Sequence, residues 1–111
     1  MTYHAELTEI AEKFIESLEL KMRAKVFRTI DLLEEFGPLL AMPHARKLTG
    51  AKDLKELRVQ QSNNIVRLFY FSSGDKLYII VSGYVKKEQK TKRSEIENAI
   101  TIMTTIREQK Q

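Results

Sequence analysis

Five basic side chains lie close together late in the chain, and their types and spacing fit the binding of a polyanion. Residues 86–93 hold five lysines and arginines in eight positions, directly after an apolar segment that predicts a central β-strand. Arg58 and Arg67 fall on the two strands predicted before it. Such an array can bind a phosphodiester backbone, because each guanidinium makes two-pronged contacts to phosphate oxygens. The alternative is a solvated loop, with Arg58 and Arg67 paired to Glu56 and Asp53.

The two parts of the chain differ in charge. Residues 1–36 hold 5 basic and 8 acidic side chains and residues 37–111 hold 14 and 7, which gives −3 and +7 for a total of +4. A segment this basic favours a polyanion or an acidic protein as partner. A basic surface that only aids solubility is the plainer alternative.

Other chemistries have little support. The chain has no cysteine, which excludes disulfides and thiolate chemistry. His4 and His44 have no partner at ligand spacing, so no metal and no other cofactor is expected. The glycines form no phosphate-binding loop, and no serine lies in a nucleophile-elbow pattern. The longest apolar run, residues 77–81, is too short to span a bilayer and no signal peptide is found. We therefore expect a cytoplasmic protein without a membrane partner.

Helical periodicity occupies both ends of the chain. Residues 7–18 predict one amphipathic helix, and a second is predicted from about Leu20 to Phe36. Almost no linker separates them, so an antiparallel hairpin is expected. A last helix is predicted to begin near Thr91 or Ser94, either of which can cap it. The inward side chains of the second helix are predicted to be Ala24, Phe27, Ile30 and Leu33.

Three strands are predicted between the helices, at residues 54–60, 65–71 and 77–85. On the second strand Arg67 shares a face with Phe69, opposite Val66 and Leu68, so the main core is not expected to need the charge of Arg67. Residues 37–53 are predicted to be irregular. The expected architecture is a single α+β domain over residues 1–111, in which a helical hairpin packs on an antiparallel sheet of three to four strands with a C-terminal helix.

Several segments along the chain match a known pattern. They are LLEEFGPLL at 32–40, PHARKLTG at 43–50, LKELR at 54–58, VRLFY at 66–70, YVKKEQKT at 84–91 and EIENA at 95–99. In order and spacing they resemble the RelE/HigB toxin superfamily of bacterial toxin–antitoxin systems, and its phage-derived HigB-like branch most closely. Two departures are that Lys92 stands where the branch usually has proline, and that only residues 2–4 remain for the strand that members often carry before the first helix.

The resemblance implies an endonuclease that cleaves messenger RNA, commonly on the ribosome, and that a cognate antitoxin neutralises. DNA would be contacted only indirectly, through the antitoxin. A ribose 2′-hydroxyl attacks the adjacent phosphate, and no metal is needed. The reaction requires a base for that hydroxyl, positive charge beside the phosphorane and a proton for the leaving 5′-oxygen.

The resemblance also assigns roles by position. Arg67 matches the family arginine that stabilises the transition state, Arg58 supports it, and Lys87 sits where members carry a basic residue after the central strand. Glu56 is a candidate general base; a lysine of lowered pKa is the rival, and a salt bridge from Glu56 to Arg58 is the alternative without catalysis. The remaining expected RNA contacts are Lys55, Lys86, Lys90, Lys92 and Arg93.

Two other functions stay open. A non-enzymatic inhibitor of DNA gyrase, of the ParE kind, shares the fold that the resemblance implies, and an attenuated toxin would act only as an antitoxin-binding module. The basic array and Arg67 favour the endonuclease, because a gyrase inhibitor needs no such array. Tyr84 is expected in the core and His44 on the surface.

Overall fold

A computed structural model describes residues 3–48, 50–87 and 92–109 of the chain. The elements are β1 (His4–Leu7), α1 (Glu9–Glu16), α2 (Leu20–Phe36), a 3-10 turn (Gly37–Leu39), β2 (Ala45–Lys47), β3 (Lys55–Gln61), β4 (Asn64–Ser72), β5 (Leu77–Lys86) and α3 (Arg93–Gln109). Within the described ranges, no helix has the length and apolar character needed to cross a membrane.

The five strands form one sheet in the order β1-β5-β4-β3-β2. Strands β2 to β5 pair antiparallel with their neighbours, whereas β1 pairs parallel with β5. The predicted α+β class is confirmed, although the sheet is mixed and has more strands than the three to four expected. Periodicity missed β1 and β2, because strands of four and three residues are too short to show alternation. Leu7, predicted to begin the first helix, therefore lies at the end of β1.

Strand β1 is hydrogen-bonded to the end of α2 as well as to β5. The backbone N–H of Ala5 donates to the Glu34 carboxylate at 2.8 Å, and the N–H of Tyr3 donates to the Glu34 carbonyl at 3.1 Å. These bonds satisfy donors along the outer edge of a strand that would otherwise face solvent. Helix α2 thus stabilises a short strand that the local sequence alone would not.

The two faces of the sheet carry separate cores. Helices α1 and α2 cover the face on which Val66, Leu68 and Tyr70 of β4 are buried. Helix α3 packs on the other face, against Phe69 and Phe71 of the same strand. Alternation along β4 therefore predicted correctly which side chains share a face.

Some helical details differ from the prediction. Ile30 and Leu33 of α2 are buried as expected, but Phe27 is 45% exposed and Ala24 is also exposed. The helix meets the sheet through Val26 and Thr29 instead, so the buried stripe lies beside the predicted one. Helix α3 begins at Arg93, which places Ser94 inside its first turn rather than at the cap. Thr91, the other predicted cap, lies outside the described residues.

Gly37 ends α2 in a conformation that only glycine adopts without strain, with φ 54° and ψ −128°. A Cβ at this position would also overlap the ring of Tyr3. We expect Gly37→Ala to lower the free energy of unfolding by about 1–2 kcal/mol for the backbone, with a further ~1–3 kcal/mol for the clash. Gly74→Ala is the matched control, because Gly74 also has a positive φ but no atom within 4 Å of the new Cβ. Urea unfolding of both variants measures the difference, and equal losses would contradict the role of the Tyr3 contact.

Candidate functional site

One half of a sheet face is left uncovered by α3 and carries four basic side chains, one from each of four neighbouring strands. We call these residues the cationic cluster: Arg46 of β2, Arg58 of β3, Arg67 of β4 and Lys86 of β5. The strand register places them on one face. Arg58 lies directly opposite Arg67, and Lys86 lies opposite Ile65, two residues along β4 from Arg67. Arg46 joins them through Glu56, its partner on β3.

Three arginines of the cationic cluster surround a small surface cavity of about 70 Å³, together with Met42, Pro43 and Ala45. A water molecule in the liquid takes up about 30 Å³, so the cavity has the size of one phosphoryl group rather than of a base. Arginines from three strands line it. The arrangement can therefore hold a single anionic group between several N–H donors.

The Glu56 carboxylate binds two members of the cationic cluster. Its side chain is 0% exposed, and its Oε1 accepts a hydrogen bond from Arg46 Nε at 2.7 Å. The same oxygen accepts from Arg67 Nη1 in a buried ion pair. Arg58 donates instead to Gln60 Oε1 at 3.1 Å. The structure thus brings Glu56 together with Arg67 and Arg46.

Arg67 lies on the predicted face, opposite the core of Val66 and Leu68, but it is buried. Arg67 is only 3% exposed, and its Nε is buried without a hydrogen-bond partner among the described residues. A buried carboxylate and a buried guanidinium depend on each other, because either alone would be an uncompensated charge.

Lys86 lies in an environment that lowers the pKa of its ammonium group. Desolvation lowers the pKa of its ammonium, and the positive charges of Arg67, Arg58 and Arg46 lower it further, while Glu56 acts in the opposite direction. A lysine with a lowered pKa is neutral in a larger fraction of molecules at neutral pH and can accept a proton. Because strand alternation turns successive residues to opposite faces, Lys86 rather than Lys87 joins the cationic cluster.

The other predicted site residues lie elsewhere. Lys87 is exposed after β5 and lines a separate groove with Phe14, Lys92 and Glu95. Lys92 and Arg93 are exposed at the start of α3, where Arg93 pairs with Glu97 at 3.5 Å. Lys55 is at the far end of β3, on the opposite face from the cationic cluster. Lys90 lies outside the described residues.

Tyr84 lies on the boundary between core and site. It is directly opposite Arg67 in the register, is half-buried, and stacks on Phe69 with ring centroids 5.8 Å apart. Its hydroxyl accepts a hydrogen bond from the Lys92 backbone N–H at 3.3 Å. His44 is exposed, as expected. No group of three or more histidine, aspartate or glutamate side chains with metal-binding geometry occurs in residues 3–48, 50–87 and 92–109.

Arg46 is the member of the cationic cluster that sequence reasoning missed. It lies in a segment predicted to be irregular, and its place becomes evident only when β2 pairs with β3. The signal was its position in the PHARKLTG segment at 43–50, which contributed to the resemblance without being given a role.

Residues 13–104 match the family of phage-derived Gp49-like proteins (DUF891). The chain belongs to this family. Among curated proteins, none matches it significantly.

The fold of this Gp49-like protein is similar to that of solved RelE toxins. A free Escherichia coli RelE carrying two arginine-to-alanine changes is 20% identical with a TM-score of 0.64, covering 91% of this chain and 96% of that one. RelE in the archaeal RelE–RelB complex of Pyrococcus horikoshii is 23% identical with a TM-score of 0.55, covering 82% and 100%. The intact E. coli RelBE toxin–antitoxin complex gives 21% identity and 0.57, covering 79% and 99%. The RelE-like fold expected from the sequence is confirmed.

We expect Glu56→Gln to lower the free energy of unfolding by about 3–5 kcal/mol, because it leaves the buried Arg67 charge uncompensated. Asp53→Asn is the matched control, since Asp53 pairs with Arg107 at 3.4 Å with both side chains nearly half exposed. Exposed pairs contribute about 0–1 kcal/mol. Urea unfolding at neutral pH measures both. Similar small losses in the two variants would contradict the view that Glu56 holds the cationic cluster together.

Proposed function

We propose that this protein is the toxin of a toxin–antitoxin pair and acts as an RNA endonuclease. The observation that carries the proposal is that arginines from three strands line one small cavity, with a lysine of lowered pKa on the same face of the sheet. Guanidinium groups stabilise the extra charge that a phosphate gains on the way to a phosphorane. The family and the RelE-like fold support the same function.

Arg67 and Arg58 are the groups we assign to transition-state stabilisation, with Arg46 completing the anion site. Glu56 is then a positioning residue and not the general base. Its oxygen already accepts hydrogen bonds from Arg67 and Arg46, and Glu56 is not among the residues that line the cavity. Two guanidinium groups held by one carboxylate keep a fixed geometry, which favours stabilisation of charge without reorganisation.

Lys86 is the group that we assign as general base. Its neutral Nζ takes the proton of the 2′-hydroxyl, the 2′-oxygen forms a bond to phosphorus, and the bond from phosphorus to the 5′-oxygen breaks. The 5′-oxygen takes a proton from water. The products are a 2′,3′-cyclic phosphate and a 5′-hydroxyl. No divalent cation is required, since the four cations of the cluster outnumber its single carboxylate and disfavour the approach of another cation.

The partners that we propose are messenger RNA on the ribosome as substrate and an acidic antitoxin as inhibitor. The complexes of RelE with RelB are complexes of other proteins, and they support an antitoxin here through the shared fold. The +7 balance of residues 37–111 supports a polyanionic substrate and an acidic inhibitor. Lys87, Lys90, Lys92 and Arg93 remain proposed contacts to the RNA backbone.

Lys86→Arg tests the assignment of the base. Arginine keeps the positive charge but stays protonated at all accessible pH values, so we expect cleavage to fall about 10²–10⁴-fold. In the wild type the rate rises with pH as Lys86 loses its proton, and it levels off above a pKa that lies below the ordinary value of lysine. The variant loses this rising limb. Cleavage of a labelled RNA across a pH series measures both effects, with Lys21→Arg on exposed α2 as control. A Lys86→Arg protein with the wild-type rate and pH profile would overturn the assignment.

Expression of the chain alone, followed by mapping of transcript 5′ ends, tests the function itself. We expect growth arrest with new ends inside coding regions, and relief of both when the neighbouring gene is expressed with it. Replication arrest with intact transcripts would instead indicate a gyrase inhibitor. Normal growth with stable binding of the neighbouring product would indicate an attenuated toxin, and either of these results would refute the endonuclease proposal.

A further inference from the structure

A second basic groove lies at the end of the sheet that is remote from the cationic cluster. Its volume is about 850 Å³, and it is formed where β2 ends, β3 begins, β4 ends and β5 begins. We call it the distal groove. Five cations and two carboxylates line it, for a balance of 5 − 2 = +3, and they are Lys47, Lys52, Lys55, Lys76, Arg107, Asp53 and Asp75.

The lysines of the distal groove are not neutralised within the described part of the chain. None of the four is among its ion pairs, and Asp53 is already bound to Arg107. Lys47 and Lys55 are directly opposite each other on β2 and β3. Like charges at facing positions of an antiparallel pair are destabilising. The fold therefore maintains a repulsion that a bound anion would relieve.

Lys76 is a further cation, and its backbone conformation is unfavourable for lysine. It lies in the turn between β4 and β5 with φ 60°, a left-handed conformation that favours glycine or asparagine over lysine. Its charge nevertheless lines the groove with those of Lys47 and Lys55. Lysines from three separate segments of the chain thus converge on this end of the sheet.

The distal groove is a separate site from the cationic cluster. Arg67 and Ser72 of β4 are five residues apart along the strand, which corresponds to about 17 Å. Lys55 and Tyr78 of the groove lie on the face that α1 and α2 cover, and Ala51 and Leu54 lie in the core on the α3 face, so the groove runs across the end of the sheet. Between Arg67 and this end, α3 packs on Phe69 and Phe71 of β4, so an RNA strand bound at Arg67 would have to pass over α3 to reach the groove.

We propose that the distal groove binds the phosphodiester backbone of an RNA segment other than the one cleaved at the cationic cluster. This inference rests on the proposed function in taking RNA as the polyanion. It also gives Lys55, an expected RNA contact that lies away from Arg67, a place in RNA binding.

The lining of the distal groove favours RNA over an acidic protein. Three of its apolar side chains are buried, with Leu54 1%, Ala51 4% and Tyr78 6% exposed, whereas Pro38 is exposed and Tyr3 and Leu48 are partly buried. Protein–protein interfaces are depleted of lysine, and four lysines line this groove. Nucleic-acid interfaces are instead strongly positive, as this groove is.

The test uses a labelled 2′-O-methyl RNA hairpin, which lacks the attacking hydroxyl and cannot be cleaved by the proposed reaction. We compare the full chain with the triple variant Lys47→Gln, Lys52→Gln, Lys76→Gly, in which glycine suits the left-handed turn. The matched control is Lys21→Gln, Lys25→Gln, Arg28→Gln, which removes three exposed charges from α2. Circular dichroism and thermal unfolding confirm that both variants are folded.

We expect the groove variant to bind the hairpin at least about tenfold more weakly, with a salt dependence reduced by about 2 in the slope of log K against log salt. The control should change much less. Equal losses in the two variants would show a diffuse charge effect and overturn the proposal. Equally strong competition by poly-glutamate of matched charge, lost in the groove variant alone, would indicate an acidic protein and also overturn it.

The two proposals can fail separately. If the wild type cleaves no RNA but the groove variant alone loses hairpin binding, the endonuclease proposal fails and the groove remains an RNA site. If the wild type cleaves RNA and the groove variant binds the hairpin as tightly as the wild type, only the groove assignment is overturned.

Discussion

The buried carboxylate of Glu56 is the interaction on which the candidate site depends. It lies at the centre of the sheet's polar half and accepts hydrogen bonds from Arg67 on an interior strand and from Arg46 on the edge strand. Without it, Arg67 would be a buried charge with no compensation. The same contact ties β2, a strand of three residues, to β3 through side chains as well as backbone. One acidic residue therefore stabilises a sheet edge and sets the geometry of an anion site.

A second constraint is that α3 and the cationic cluster share one face of the sheet. The apolar side chains of α3 need Phe69 and Phe71, so they can cover only that end of β4. The stack of Tyr84 on Phe69 closes the core at the boundary. Beyond it lie the basic residues of four strands that form the cationic cluster. The point at which the apolar stripe of α3 ends thus determines how much of this sheet face the candidate site occupies.

Charge is unevenly distributed along the chain. Residues 1–36, which form β1, α1 and α2, have a net charge of −3, whereas residues 37–111 have a net charge of +7. Helices α1 and α2 cover one face of the sheet. Positive charge is left at both ends of the sheet, with the cationic cluster at one and the distal groove at the other. A polyanion would accordingly be attracted to the two ends of the sheet.

Sequence and tertiary structure determined different parts of this protein. Periodicity alone predicted the helices, the three long strands and the face on which Arg67 lies, because the repeats of helix and strand act over a few residues. The order of the matching segments also predicted the RelE-like fold. Tertiary pairing decided the rest. It formed β1 and β2 and brought Glu56 into contact with Arg67 and Arg46. It also buried Arg67, placed Lys86 instead of Lys87 in the cationic cluster, and placed Lys55 in the distal groove. These outcomes depend on which strands become neighbours and on where α3 stops, and both are set by contacts between residues far apart in the chain.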